Sequence, residues 1–171
     1  EAMPAVALTD VNNLFALVKF QKAALSAGIK PIFGADVIVW DEELDTTFEI
    51  CLLVQNKQGY KNLTELISKC YLEGQRLGKS FANKKWLQEY QEGLIFLSGA
   101  SRGEIGKALL KEGYDEAVNI ASSWQSMFGD RFYLEVQRTG RANENEHNEH
   151  VVSIANTLSI PLVATNDVRF L

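Results

Sequence analysis

Short runs of β-branched and aromatic residues alternate along this chain with longer segments of helical hydrophobic period. That alternation restricts the chain to an α/β protein built around a mostly parallel sheet or barrel. The runs at Ala5–Leu8, Ile32–Trp40, Phe48–Gln55, Leu94–Ser98, Phe132–Val136 and Leu162–Ala164 are expected as strands. Asn12 or Asn13 is placed to cap a helix with the apolar face Leu14, Leu17, Val18 and Leu25, ending at Gly28. A second helical stripe is Leu63, Leu66, Ile67, Cys70 and Tyr71, and a third is Ala117, Ile120, Ala121, Trp124, Met127 and Phe128. A fourth, Val151, Ile154, Ala155 and Leu158, leads to the last strand. Between them, Trp40 to Thr47 is an acidic, hairpin-like connection, and Glu73 to Ser80 is expected as an exposed loop.

At 171 residues with 46% hydrophobic content the chain is long enough for one sizeable core, and a single domain over 1–171 is expected. Both ends run almost directly into strand-like motifs, which points to an excerpt of a longer polypeptide. A barrel cut in this way would leave open sheet edges, so self-association or modest stability is expected of the piece made alone. Seventeen Lys and Arg against 22 Asp and Glu give a net charge of −5, where a duplex-binding module carries a basic stripe. Direct contact with nucleic acid is not expected of this piece. Cys51 and Cys70 lack CxxC spacing, and no secretory leader precedes them, so reduced thiols in a cytoplasmic protein are expected. No apolar run approaches the roughly 20 residues of a membrane span.

Functional groups of an α/β barrel gather at the carboxyl ends of its strands. Asp10, Asp36, Glu135 and Asp167 follow or end such strands, and Glu49 lies at the start of its own. Taken singly, each acid is as well explained by a helix cap or an arginine partner; their significance lies in the set. His147 and His150, three residues apart, fall on one side of a helix, but without a third convergent ligand they make a poor metal site and are expected to be structural. Cys51 has no neighbouring base in sequence and is expected in the core. Gly99 to Gly106 places small residues and Arg102 between a strand and a helix, where phosphate can bind, yet it matches no phosphate-loop fingerprint and is expected as a turn.

Read in order, Leu8-Thr9-Asp10, Gly28 to Asp36, Asn56 to Leu63, Leu94 to Gly99 and Val163 to Phe170 resemble the polymerase and histidinol phosphatase (PHP) domain of bacterial replicative polymerase alpha subunits. The blocks occur together, in the family's order and spacing, through the whole chain. The resemblance implies a distorted (β/α)7 barrel, incomplete here because its first strand, with a two-histidine motif, and the end of the domain are missing. Active members of that family hydrolyse phosphate esters at a trinuclear site of zinc, manganese or iron.

Carried over by position, the family's ligands fall on Val11, Asp36, Glu49, Thr139, Asp167 and Arg169. Four nitrogen or sulfur donors have become apolar, acidic, hydroxyl and cationic groups. Imidazole is what lets transition metals cluster at neutral pH, so the site is expected to be vestigial, with Asp10 and Glu135 as supporting acids and no metal or catalytic residue in this domain. Arg169 would repel a divalent ion, or pair with Asp167, Asp36 or Glu49 and close the old mouth. The resemblance then implies a scaffold whose partners are the proofreading exonuclease (epsilon) subunit and the rest of the alpha chain. DNA, deoxynucleoside triphosphates and magnesium would be engaged by the parent chain's polymerase chemistry. The rival expectation is a residual phosphoesterase or pyrophosphatase holding magnesium or manganese on Asp36, Glu49 and Asp167.

Overall fold

All six runs expected as strands form strands in the computed structural model, which describes residues 3–168. They are divided between two compact units, Glu1–Ile95 and Phe96–Leu171. In the first unit, β1 (Ala5–Val11) leads through α1 (Leu17–Ser26) to β2 (Lys30–Asp41), and the two strands run parallel with Val11 opposite Asp36. β2 then doubles back into β3 (Thr46–Val54), antiparallel, with Asp36 opposite Cys51 and Ile38 opposite Glu49. This sheet is mixed rather than mostly parallel, because the short acidic connection allows a hairpin and no crossover. Alternate residues of the two strands make its covered face: Ala35, Val37, Val39, Phe48, Ile50 and Leu52 are all buried.

The helix α2 (Lys57–Leu72) packs on that sheet through Leu63, Leu66, Ile67 and Cys70, while Tyr71 is exposed. Asn56 caps it by accepting the Gly59 N–H at 3.0 Å. Gly59 abuts Gly93 so closely that a Cβ on Gly59 would lie 1.8 Å from the Gly93 carbonyl oxygen. The Asn56–Leu63 block thus contains a backbone contact that only glycine permits.

Three expectations in this unit need correction. Asn12 caps no helix: it is buried with φ 50°, its Oδ1 accepts the Ile38 N–H, and its Nδ2 donates to the Ser80 carbonyl at 2.7 Å. Asn13 forms a local turn by accepting the Phe15 N–H, and α1 starts after Ala16 with no side-chain cap. Only Leu17 and Ala24 of α1 are buried, and Val18 and Leu25, expected on its inner face, are each 60% exposed. Glu73 to Ser80 is no simple loop, since β4 (Gln75–Arg76) and β5 (Lys79–Ser80) pair around Leu77 and Gly78, both at positive φ. Ser80 is thereby held where Asn12 reaches it. A short helix, α3 (Lys84–Glu89), capped by Asn83, precedes the next strand.

The second unit starts within β6 (Leu94–Leu97) and sets it parallel to β7 (Phe132–Gln137), which is parallel to β8 (Leu162–Thr165). The connections are the helices α4 (Glu104–Lys111), α5 (Tyr114–Phe128) and α6 (Glu144–Leu158). Its core is aromatic: Phe96 stacks on Phe128 at 3.7 Å, and Trp124 lies against Phe128 and Phe132. The indole N–H of Trp124 donates to Glu104 at 2.8 Å, satisfying its polar edge inside an apolar cluster. From α6, Val151, Ile154 and Ala155 are buried as their spacing requires. Among the described residues no helix is long and apolar enough to cross a membrane.

Candidate functional site

Strand register decides which of the candidate acids share a surface. In the first unit Val11, Asp36 and Cys51 stand opposite one another across β1, β2 and β3, and Glu49, two residues before Cys51, points to the same side. Asp36 and Glu49 are diagonal neighbours on the sheet face away from Ala35, Val37, Ile50 and Leu52. Asp36 lies in the middle of β2, not at its end, and the antiparallel return of β3 brings Glu49 beside it. Asp10 is opposite Ala35 and so points to the other face, which separates it from the residues it was expected to support. Cys51, expected in the core, is half-buried on the Asp36 side.

In the second unit Glu135 ties the ends of three strands together. It is buried, its Oε2 accepts the Gly99 N–H at 2.5 Å, and its Oε1 accepts the Thr165 hydroxyl at 2.8 Å. Its own backbone N–H donates to the Ser98 Oγ at 3.0 Å. Hydrogen bonds to a charged acceptor contribute about 1.5–3 kcal/mol each, so this carboxylate is well compensated for its burial.

Asp167, just past β8, is held by two arginines. Arg102 donates from both Nη1 and Nη2 at 2.9 Å in a planar fork, and Arg141 donates from Nη2 at 2.5 Å. The carboxylate side chain is 3% exposed, against 37% and 50% for the two guanidinium side chains. Gly99 to Gly106 is therefore more than a turn: Gly99 at φ 76° starts a 3-10 turn, Ala100–Arg102, that aims Arg102 at a residue 65 positions later. Sequence reasoning missed Arg102 and Arg141 as partners of Asp167, since neither spacing nor composition reports a contact of that range. Arg169, expected to repel a divalent ion or to pair with Asp167, Asp36 or Glu49, lies outside the described residues.

Thr139 serves α6. Its N–H and hydroxyl, with the Gly140 N–H, all donate to the Glu144 carboxylate at 2.7–2.9 Å. The Thr139 amide above all, joined by its hydroxyl, Gly140 and Arg141, holds the Glu144 carboxyl below the usual carboxylate range. His147 and His150 part company one turn later: His147 is buried, whereas His150 is half-exposed beside Tyr114 and Glu146. Burial above all pushes the His147 imidazole below its ordinary pKa. Among the described residues no group of three or more His, Cys, Asp or Glu side chains is arranged to hold a metal ion.

Comparison with known proteins follows the same lines. A family model described as the PHP domain matches residues 1–139, a stretch that runs across both units. The chain is 52% identical over 170 residues to DNA polymerase III subunit alpha of Pseudomonas fluorescens, covering 99% of this chain and 14% of that protein. It is 50% identical over 170 residues to the Pseudomonas aeruginosa subunit, again covering 99% of this chain and 14% of that protein. For the Escherichia coli K12 subunit the figures are 43% identity, 99% and 15%. The chain thus spans about a seventh of the curated relatives it matches. Among solved structures, a Bifidobacterium adolescentis protein provisionally described as a metal-dependent phosphoesterase superposes with a TM-score of 0.61 at 12% identity, covering 95% of this chain and 76% of that one. At that identity the likeness shows the fold, an α/β arrangement of the PHP-barrel type.

Proposed function

This chain belongs to the PHP domain family, and we propose that it is the PHP domain of a replicative DNA polymerase alpha subunit, working as a scaffold after loss of metal chemistry. The names of its relatives support the first half of that reading. The arginine clamp on Asp167 is the observation that carries the second half. A carboxylate that accepts three charge-assisted hydrogen bonds from two permanent cations is a poor ligand, because a divalent ion would have to displace or approach both guanidinium groups.

The other positions support the same conclusion. Val11 has no donor atom, Thr139 is committed to Glu144, and the oxygens of Glu135 are taken by Gly99 and Thr165. This donor set does not fit a trinuclear transition-metal centre, which needs imidazole or thiolate to hold its ions close. The work left to the domain is contact with protein: the rest of the alpha chain and the proofreading exonuclease subunit. An acidic surface suits protein contacts and is ill suited to tracking a phosphate backbone.

The test is made on the intact parent subunit, purified without chelator. Elemental analysis, phosphate release from a simple ester and from pyrophosphate, and binding of the exonuclease subunit are measured together. Metal-free, inactive protein that still binds the exonuclease through this domain is the expected result. Stoichiometric metal with turnover abolished by Asp167→Ala would establish the rival, a magnesium- or manganese-dependent phosphoesterase using Asp36, Glu49 and Asp167. Failure of the exonuclease to bind would remove the docking role.

A further inference from the structure

Three apolar side chains of the α1 segment face water on the side turned away from the sheet that α1 covers. Phe15, in the turn that leads into the helix, is 84% exposed, and Val18 and Leu25 share the outward side with it. With Lys22 between them they follow a helical spacing, opposite the buried Leu17 and Ala24 that pack toward β1 and β2. A single exposed leucine is ordinary on a protein surface, whereas an apolar stripe two turns long marks a surface of contact.

Charge narrows what that surface can meet. Lys19 and Lys22 are exposed on and beside the stripe, α1 contains no acidic residue, and neither lysine has an ion-pair partner among the described residues. On α2, by contrast, the exposed Lys61 is met one turn later by Glu65. The chain as a whole carries a net charge of −5, so the outer face of α1 is a basic, apolar exception on an acidic molecule.

Shape narrows it further. A helix keeps its backbone N–H and C=O groups to itself and offers no edge for strand addition. Two lysines are too few to track a phosphate backbone. What complements the stripe is the side-chain ridge of another helix. Its apolar residues would recur at i, i+3 or i+4 and i+7, matching the roughly 10 Å between Val18 and Leu25, with Asp or Glu turned toward Lys19 and Lys22.

We propose that the outer face of α1, formed by Phe15, Val18, Lys19, Lys22 and Leu25, docks an acidic amphipathic helix of a partner polypeptide. The inference rests on the scaffold reading, to which it adds a surface and the chemistry of what binds there.

The test uses the intact parent subunit and a fluorescein-labelled helical peptide of about four turns, with Leu at i, i+3 and i+7 and Glu on both flanks. A second peptide carries Lys in place of Glu. Fluorescence anisotropy at low salt should show saturable binding of the Glu peptide, with a dissociation constant of about 10–100 μM, and binding of the Lys peptide at least about tenfold weaker. Lys22→Glu should weaken the Glu peptide about tenfold and strengthen the Lys peptide, and Leu25→Ser should weaken the Glu peptide by a similar factor. Both changes lie on exposed side chains and leave the core untouched. No saturable binding, equal binding of the two peptides, or an unchanged constant in either variant would overturn the proposal. Binding of the exonuclease subunit is measured alongside. An exonuclease that binds while the peptide does not would remove the α1 site and leave the scaffold reading standing; a peptide that docks as described while the exonuclease does not bind would uphold the α1 site and remove the exonuclease from that reading.

Discussion

Replacing Asp167 by Asn and Arg102 by Gln, singly and together, measures how firmly the segment after β8 is tied down. Asp167 is almost fully buried and accepts three charge-assisted bonds, a geometry worth several kcal/mol if all partners were buried. Both arginines are more than a third exposed, and solvent screening brings each pair down toward the surface value of about 1 kcal/mol or less. Asn keeps the shape and one acceptor oxygen while losing the charge. Asp167→Asn should therefore destabilise the chain by about 2 kcal/mol, and Arg102→Gln, which leaves Arg141 in place, by about 1 kcal/mol. For a chain of this size the first corresponds to a fall in Tm of roughly 4–8 °C. The double variant should lose about 1 kcal/mol less than the sum of the singles, the coupling expected of residues in direct contact. Urea unfolding with an unchanged slope is the assay. Additivity within about 0.3 kcal/mol would show that the clamp holds nothing, and the argument against a metal at Asp167 would lose its basis.

Three further outcomes are expected. Gly59→Ala drives a methyl group into the Gly93 carbonyl and should destabilise by about 3 kcal/mol or more, whereas Gly28→Ala, with open space around it but φ 70°, should lose only about 1–2 kcal/mol; equal effects in thermal melts would contradict the close backbone contact. Burial pushes the Cys70 thiol up to about 12, so an alkylating reagent at pH 8 should modify it only as fast as the protein unfolds; fast labelling of the native chain would place α2 differently. His147 has a folded pKa below its unfolded value near 6.5, so the unfolded chain takes up the proton first as pH falls. Stability should therefore drop below about pH 6.5, by at most about 1.4 kcal/mol per pH unit, until the folded pKa is passed, and His147→Gln should remove that component from a series of denaturant melts; an unaltered pH profile would be the contrary result.

The alternation of strand-like and helix-like segments was enough to read the α/β class and six of the eight strands among the described residues, β4 and β5 being the two it missed. Hydrophobic period is a local property and survives into the fold wherever one face is buried, as in α2, α5 and α6. It misled at α1, where Val18 and Leu25 have the right spacing but face outward, because period says that a helix has an apolar side and not what covers it. The acids were legible as a set, yet their arrangement was not. Asp10 and Val11 are adjacent in sequence and on opposite faces of the sheet by pleat alone, while Asp36 and Glu49 are joined by an antiparallel return that a parallel reading does not foresee. Asn12 looked like a helix cap and is a buried bridge between β2 and the β4–β5 hairpin. By itself the sequence determined the kind of fold and the family's motif blocks. Only the tertiary structure decided that Arg102 and Arg141 close on Asp167, that Glu135 joins three strand ends, and that the Nε2 of His147 is buried without a hydrogen-bond partner among the described residues. Those contacts join residues up to 65 positions apart, and their partners are fixed by strand register and helix packing, which no local pattern encodes.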